Sequence, residues 1–472
     1  MNKRLLTAII TALTVLPLCP FANAQADIQI GDYVRLGSYR GNPILWRCID
    51  IDEYGPLMLS DKVLTVKQYD TSGQHTTDDD YSSRQKNGSN RWSDSNIRSW
   101  LNSDKPAGEV EWLCGNPPSS YKSEAGFLEG FGEAEKIAMK AVSHKSILDI
   151  NTDVEFAEGG GYLDYDQSKE YWASILREKM YDNYDNLYYE TVTDKVTLLD
   201  LWQWHKFAYS GMTYEGYIGY ESAAIAQSAI NELTMSTLPP YPSYKHDFIF
   251  LRTPAFVGEK GVNSMGTKVM TGYNFKSASD TWVDIKNGIR PAFYLDTEHT
   301  VFAGGDGGRV TPYVIEGATD TPPEQYKALP TEQKIYIDGD EVQLTAYNID
   351  GNNYFRLRDL AEVMKNSGVP FNVGYRADAD MVYMVKNEEY NGGYEDIPEY
   401  NGEAYAVDSR QFFANKYYTD KTEEGYSFGN AIIKAYNIGG YNYCRLRDIG
   451  MNLFFTVDYD KETNSILVTT KE

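Results

Sequence analysis

Residues Ala346 to Leu360 read AYNIDGNNYFRLRDL, and residues Ala435 to Ile449 read AYNIGGYNYCRLRDI. Eleven of the fifteen aligned positions are identical at a constant offset of 89, so the C-terminal third of the chain is an internal duplication. The pattern predicts a hairpin feeding a short helix. Tyr347 and Ile349 alternate with polar neighbours, Asp350-Gly351 and Gly439-Gly440 are turn dipeptides that tolerate φ > 0, and Tyr354-Phe355 resumes an extended strand. Asp359 opens the helix, with Leu360, Val363 and Met364 on one face. A strand pair follows, FNVGYRADADMVYMV in the first copy and FTVDYDKETNSILVT in the second, offset by 84 because the second helix is five residues shorter. One such unit buries too little surface to be secure alone. The copies are therefore expected to share a core containing Leu357, Leu360, Leu446 and Ile449.

The hairpin, the (R/K)LRDL helix and the V-x-Y/W-D strand resemble the copper amine oxidase N-terminal-like domain, a stalk domain of secreted and wall-associated bacterial proteins. The resemblance covers residues 331–472, in copies of about 331–390 and 400–472, and is most specific in the paired YNIxGxNYxRLRD. It implies no copper, because the oxidase active site belongs to other domains, and no His follows His299. Arg356, Arg358, Arg445 and Arg447 read as structural, pairing with nearby Asp side chains or backbone carbonyls, with ligand binding as the alternative.

The chain begins MNKRLLTAIITALTVLPLCPFANAQA. Lys3 and Arg4 form a positive n-region, Leu5 to Leu18 an apolar core, and Ala22-Asn23-Ala24 a small-x-small cleavage site. Residues 1–24 are thus expected to be an export signal, placing the mature protein outside the cell, secreted or on the cell surface. Cys19 raises lipidation as an alternative, but the bulky Leu18 precedes it where such signals need a small residue. No other apolar run approaches the ~20 residues that span a bilayer, so no transmembrane anchor is expected.

Loss of Lys3 and Arg4 takes the net charge from −24 to −26. Such a surface repels phosphodiester backbones and anionic lipid, which argues against nucleic acid as a partner. The 39 Tyr and 8 Trp fit aromatic sugar platforms, and core packing uses the same residues. Three Cys remain after processing, an odd number that excludes a fully paired framework. Cys48, within LWRCIDI, and Cys444, which replaces Phe355 of the other copy, read as small core hydrophobes. A Cys48–Cys114 bridge is the alternative.

From the start of the mature chain, VRLGSYRGNPILWRCIDIDEYGPLMLSDKVL predicts three successive strands. Tyr69 to Asn90 reads as a polar loop whose Asp78-Asp79-Asp80 lacks the spacing of a calcium loop. In NRWSDSNIRSWLN, Ser93 suits an N-cap, with Ile97, Trp100 and Leu101 as the docking stripe. Helices are also expected in GFGEAEKIAMKAV and SAAIAQSAINELTM. TDKVTLLDLWQWHKF predicts a strand over Val196 to Leu199 running into a helix; His205 is the His best placed to line a pocket, but a lone His with no paired acid or thiol motif reads first as a packed or surface residue. FIFLRTPAF, a Gly-rich hairpin between Gly258 and Gly272, and GIRPAFYLD close the region, Pro291 marking an edge or strand start. The glycines at 304–308 could cradle an anion, but without a following helix they read as a mobile loop, and residues 314–330 read as a Pro-bearing linker.

In order, VRLGSY, PILWRCIDI, WSDSNIRSWLN, GEAEKIA, DKVTLLDLWQW, FLRTP and GIRPAFYL resemble a bacterial domain family of unknown function related to the C-type-lectin-like and formylglycine-generating-enzyme fold. Coverage is residues 30–313. The expected fold class is α+β: a lectin-like mixed domain followed by the duplicated stalk domain. No catalytic constellation is legible, since the paired reactive Cys of formylglycine chemistry and a G-x-S-x-G turn are missing. The calcium-lectin motifs EPN and QPD are missing too, and Trp282-Val283-Asp284 only echoes WND. The expectation is a non-catalytic exported binding protein for a cell-wall glycan or envelope protein. A structural envelope protein and an uncharacterised hydrolase are the alternatives. No cofactor, metal, catalytic or ligand-binding residue is assigned.

Overall fold

The computed structural model describes residues 27–71, 88–112, 117–148, 189–209, 249–254, 268–273, 277–319, 325–331, 333–377, 381–392, 402–409, 411–418 and 426–471. Residues 1–24, expected to be an export signal, Asp78-Asp79-Asp80, Cys114 and SAAIAQSAINELTM lie outside them. Among the described residues no helix is long and apolar enough to cross a membrane.

β1 (Tyr33–Tyr39), β2 (Asn42–Asp52) and β3 (Gly55–Ser60) are the three strands that the sequence predicts, and β4 (Thr65–Gln68) follows. A helix at Asn96–Leu101 precedes β5 (Met139–Lys140), β6 (Val142–Ile147) and β7 (Tyr189–Asp194). After the helix Leu201–Tyr209 come β8 (Ile249–Pro254), β9 (Lys268–Tyr273), β10 (Ser277–Trp282) and β11 (Lys286–Ile289). β12 (Ala292–Leu295), β13 (Phe302–Gly304) and β14 (Tyr313–Ile315) complete this part. A seven-stranded sheet has the order β13-β14-β1-β2-β3-β12-β5, and a five-stranded sheet the order β10-β9-β8-β11-β4.

GIRPAFYLD, expected as one strand, is divided between these two sheets. β11 lies between β8 and β4, and β12 between β3 and β5. The crossing falls at Arg290-Pro291, where Pro291 has no N–H to give a ladder but its carbonyl accepts from Ser60 N at 2.9 Å. Buried Arg290 secures the corner by donating from Nε to Ser60 O at 2.7 Å and from Nη2 to Asp61 O at 3.2 Å.

The α+β expectation is overturned: strands take 46% of the structure and helices 14%. The reason is visible element by element. GFGEAEKIAMKAV keeps only Glu133–Ile137 as α-helix, because Met139 and Lys140 are drawn into the sheet edge opposite Leu295 and Tyr294. The helix near Trp92 starts two residues late. Ser95, not Ser93, caps it, accepting from Arg98 N at 3.3 Å, while the Asp70 carboxylate takes Ser89 N and Asn96 N. Its stripe is as expected, with Ile97, Trp100 and Leu101 fully buried beside Trp92 and Trp46. The strand expected over Val196 to Leu199 is reduced to one bridge, Thr197 to Ala292.

Residues 325–330, assigned to the linker by composition, form β15 (Gln325–Pro330), a wall of the second part. There follow β16 (Lys334–Ile337), β17 (Asp340–Val342), β18 (Ala346–Ile349) and β19 (Asn352–Arg356). The helix Leu357–Val363 leads to β20 (Phe371–Arg376) and β21 (Met381–Lys386). The second copy repeats this as β22 (Ala404–Asp408), β23 (Phe412–Tyr418), β24 (Tyr426–Ala431), β25 (Ala435–Ile438) and β26 (Tyr441–Arg445). The helix Leu446–Leu453, β27 (Thr456–Asp460) and β28 (Ser465–Thr469) end it.

β15-β18-β19-β26-β25-β22 close into a six-stranded barrel. Asp350 and Gly351, and Gly439 and Gly440, all have positive φ, which the tight two-residue hairpin turns require. Tyrosines fill the interior. Tyr347 meets Tyr443 edge to face at 5.3 Å, and their counterparts Tyr436 and Tyr354 do the same at 5.0 Å. The barrel is thus a packed core and not a pore.

The register reveals a pseudo-two-fold through the barrel wall: Tyr354 pairs with Arg445, Phe355 with Cys444, and Arg356 with Tyr443. The flanking sheets exchange parts across this axis. β17-β16-β28-β27 joins the first copy's leading hairpin to the second copy's closing one, and β20-β21-β23-β24 does the reverse. Lys334 aligns with Ser465, and Phe412, its counterpart 78 residues on, aligns with Met381. The copies therefore interlock, and Leu357, Leu360, Leu446 and Ile449 share one cluster between the barrel and these sheets.

Candidate functional site

The interlocking creates a cleft of about 300 Å³ that neither copy could form alone. The first copy supplies Arg356, Leu357, Arg358 and Asp359 from the barrel rim, with Val373 to Tyr375 and Val382 from the sheet. The second supplies Gln411, Phe413 and the hairpin turn Gly440 to Asn442. Leu357 and Phe413 form an apolar floor, Tyr375 stands 47% exposed, and Tyr441 is half-buried.

Arg356 is held on two sides. Its Nε donates to Asp359 Oδ2 at 2.7 Å and its Nη2 to Oδ1, while its guanidinium lies 5.6 Å from the centre of the Tyr441 ring. Arg358 is exposed at the same rim. Asn442 donates from Nδ2 to Gln411 Oε1 and accepts from Ser409 Oγ at 2.9 Å, which fixes its amide plane. The wall thus combines an apolar floor, two tyrosine rings and planar polar groups.

The pseudo-two-fold generates a counterpart around Arg445, Arg447 and Asp448. Arg445 Nε donates to both oxygens of Asp448 at 2.9 Å, and Asn353 Nδ2 donates to Gln333 Oε1 as Asn442 does to Gln411. Burial pushes the Asp448 carboxyl up despite Arg445 and the Lys434 N–H, which reaches Oδ2 at 2.8 Å. One rim position changes its chemistry: Asn352 stands where the first cleft has Tyr441. The structural reading of the arginines holds for Arg356 and Arg445, each of which pairs with the Asp side chain three residues on.

The second copy also buries an ion pair. Lys434, with no exposed surface, meets Asp408 and lies 4.6 Å from the centre of the Tyr436 ring. Asp408 Oδ2 accepts from Asn42 Nδ2 at 3.3 Å, and Ile432 packs against the hydrophobic cluster of Leu57, Leu59 and Trp204. Pro330 and Thr345 occupy the matching places in the first copy, so the pair belongs to the contact with the N-terminal part.

In that part the main buried polar centre is Asp194, which the sequence did not single out. It accepts from Trp92 Nε1 at 2.7 Å, Arg98 Nε at 2.7 Å and His144 Nε2 at 2.9 Å. Burial would raise its pKa, and the bonds from His144, Arg98 and Trp92 outweigh this and hold it down. Burial lowers the His144 pKa, Arg252 adds to the effect, and Asp194 opposes it, so the ring is neutral and donates. Arg252 is itself fixed, giving Nη2 to Asp200 at 2.7 Å and Nη1 to Leu198 O at 2.7 Å. The arrangement ties the helix Asn96–Leu101 to β6 and β7. The alternation of His144 and Ser146 in VSHKSI is the sequence signal that marks an inward-facing His.

The remaining flagged residues are structural where described. Cys48 and Cys444 are free and buried, and burial pushes the Cys48 thiol up to about 12. The His205 side chain lies outside the described residues, in a helix whose Trp204 is buried. Val283, centre of the WND echo, accepts at its carbonyl from Tyr69 N at 2.9 Å and Asp70 N at 3.0 Å. The loop at 304–308, expected to be mobile, is an ordered turn. A Cβ at Gly305 (φ +95°) would meet Pro312 O at 2.1 Å, and the following Arg309 donates to buried Asp61 at 2.6 Å. No family model, curated protein or solved structure matches this chain.

Proposed function

We propose that this is an exported, non-catalytic binding protein that holds a glycan of the cell envelope in the cleft between the two repeats. The observation that carries the reading is the composition of that cleft: Tyr375 and Tyr441 offer ring faces, and Arg356, Arg358, Gln411 and Asn442 offer planar hydrogen-bonding groups. Pyranose rings present apolar C–H faces and a rim of hydroxyls, which this pairing of surfaces suits. The leader-like N terminus and the stalk-domain resemblance of the repeats support an extracellular setting.

Retention of the mature protein on peptidoglycan and other insoluble envelope glycans tests the reading, with Tyr441→Ala as the comparison. Wild-type protein should be retained on at least one of them, and the variant should lose about tenfold in apparent affinity, the scale of one aromatic contact. Retention that ignores Tyr441→Ala would place the site elsewhere. Absence of retention on every glycan would favour the structural-envelope alternative, for which the interlocked copies supply a rigid spacer.

A further inference from the structure

We infer that the cleft takes an N-acetylated sugar, with the acetamido methyl on the apolar floor and the acetamido amide against Asn442. This inference rests on the glycan reading above and adds the chemical class of the ligand. The charges of the cleft are matched within the protein: Asp359 holds Arg356 through Nε and Nη2, and Arg358 has a partner of its own. An ionised ligand would give up its hydration here without gaining an uncompensated counter-charge, so an uncharged one is favoured. At about 300 Å³ the cleft stands at the small end of ligand sites, which suits one substituted ring better than a wrapped chain.

The groups inside that space separate an acetamido group from a hydroxyl. Asn442 is fixed before any ligand arrives, because its Oδ1 accepts from Ser409 Oγ at 2.9 Å and its Nδ2 donates to Gln411 Oε1. A carboxamide has two acceptor sites and two N–H donors, so one of each remains. A secondary amide offers one C=O and one N–H, the complement of that pair. A hydroxyl could serve the same two groups, but it has nothing to lay on the floor. Leu357 and Phe413 form that floor, flanked by the half-buried Val373 and Val382. A methyl group resting there takes apolar surface out of water, which a hydroxyl does not. The counterpart cleft repeats the amide pair as Asn353 and Gln333 but has Ile335 and Asn352 where this one has Phe413 and Tyr441. It therefore serves as a control within the same chain.

Calorimetry on the full mature chain tests this with chitotetraose and cellotetraose, β-linked tetrasaccharides that differ only in carrying an acetamido or a hydroxyl group at C2. Chitotetraose should bind at least about tenfold more tightly. Tyr441→Ala should weaken both and keep their ratio. Asn442→Ala removes the amide and Val382→Phe fills the floor, so each should bring the two affinities together. Asn353→Ala, at the matching place in the other copy, should alter neither. Equal affinities of the wild-type protein, or tighter binding of cellotetraose, would overturn the acetamido inference and leave the glycan reading standing. Absence of binding to chitotetraose would overturn it too, and the glycan reading would then rest on the retention assay. Binding of both probes that ignores Asn442→Ala, Val382→Phe and Tyr441→Ala would remove both readings. Melting curves show which variants keep the fold, and the wild-type ratio decides the inference even where one does not.

Discussion

Phe355 pairs across the barrel wall with Cys444, its own counterpart in the second repeat. Both side chains are fully buried in the same cluster. On a symmetry axis a residue faces its own image, so two phenylalanines would compete for one space, and Cys444 relieves the crowding. Cys444→Phe is therefore expected to overpack the axis and cost roughly 1–3 kcal/mol, and Phe355→Ala to leave a cavity costing roughly 3–5 kcal/mol. Urea denaturation of the full chain measures both. A neutral or stabilising Cys444→Phe would show that the axis has spare room.

The same burial predicts chemical silence. The Cys48 thiol is pushed up to about 12 and the Cys444 thiol is raised too, both by desolvation, and only the thiolate is nucleophilic. Iodoacetamide at pH 8 should leave the Cys48 and Cys444 peptides unmodified in the native protein and alkylate both in urea. Rapid native labelling of either peptide, read by mass spectrometry, would contradict the packing described.

Exchange of sheets between the repeats makes each one incomplete. β16 of the first copy finds its parallel neighbour only in β28 of the second, and β23 only in β21. Polypeptides covering 320–392 and 402–472 should each lack cooperative melting and should form the native barrel when mixed. A single fragment that melts cooperatively at the temperature of the mixture would mean that the repeats are independent beads.

How much of this was legible follows from where the information lies. Hairpins, turn dipeptides and helix starts are local, so AYNIDGNNYF and GYNYCRLRD disclosed them through alternation and positive-φ residues. The exchange of sheets is a non-local pairing. It was hidden further because the β23–β24 hairpin is eleven residues longer than β16–β17, shifting the offset from 78 at Gln333 and Gln411 to 89 at Ala346 and Ala435. Residues 325–330 therefore read as linker, and no periodicity could join Tyr441 to Arg356. Arg356 and Arg358 were visible as candidates, but the cleft needed residues from both copies. In the N-terminal part the helical signal at 130–142 was real but lost to sheet pairing at Met139.

The buried pair of Lys434 and Asp408 gives another stability prediction. Lys434→Met should cost about 3–5 kcal/mol, because it leaves the Asp408 carboxylate buried with only the Asn42 amide at 3.3 Å. The double variant Lys434→Met/Asp408→Leu should recover most of that loss, since apolar replacement of a buried pair is often neutral. A double variant as unstable as the single one would show that the ion pair itself, not the orphaned charge, sets the stability.

Acid should weaken the N-terminal part through His144 before it touches Asp194. His144 has a folded pKa below its ordinary value, because burial and Arg252 disfavour the imidazolium. The unfolded chain therefore takes up this proton first, and stability falls as the pH drops below about 6.5, the ordinary His value. The fall continues until the folded pKa is passed. Asp194 also has a lowered folded pKa, but as an acid its contribution is fully present above the ordinary Asp value of about 3.9. That part is lost only as the pH falls through the depressed folded pKa. Between pH 7 and 5 the slope should thus belong to His144 and not to Asp194. His144→Asn should flatten the pH dependence of the melting temperature in that window while lowering its plateau, because one bond to Asp194 is lost. If the variant keeps the wild-type slope from pH 7 to 5, His144 is not the group that couples this fold to acid.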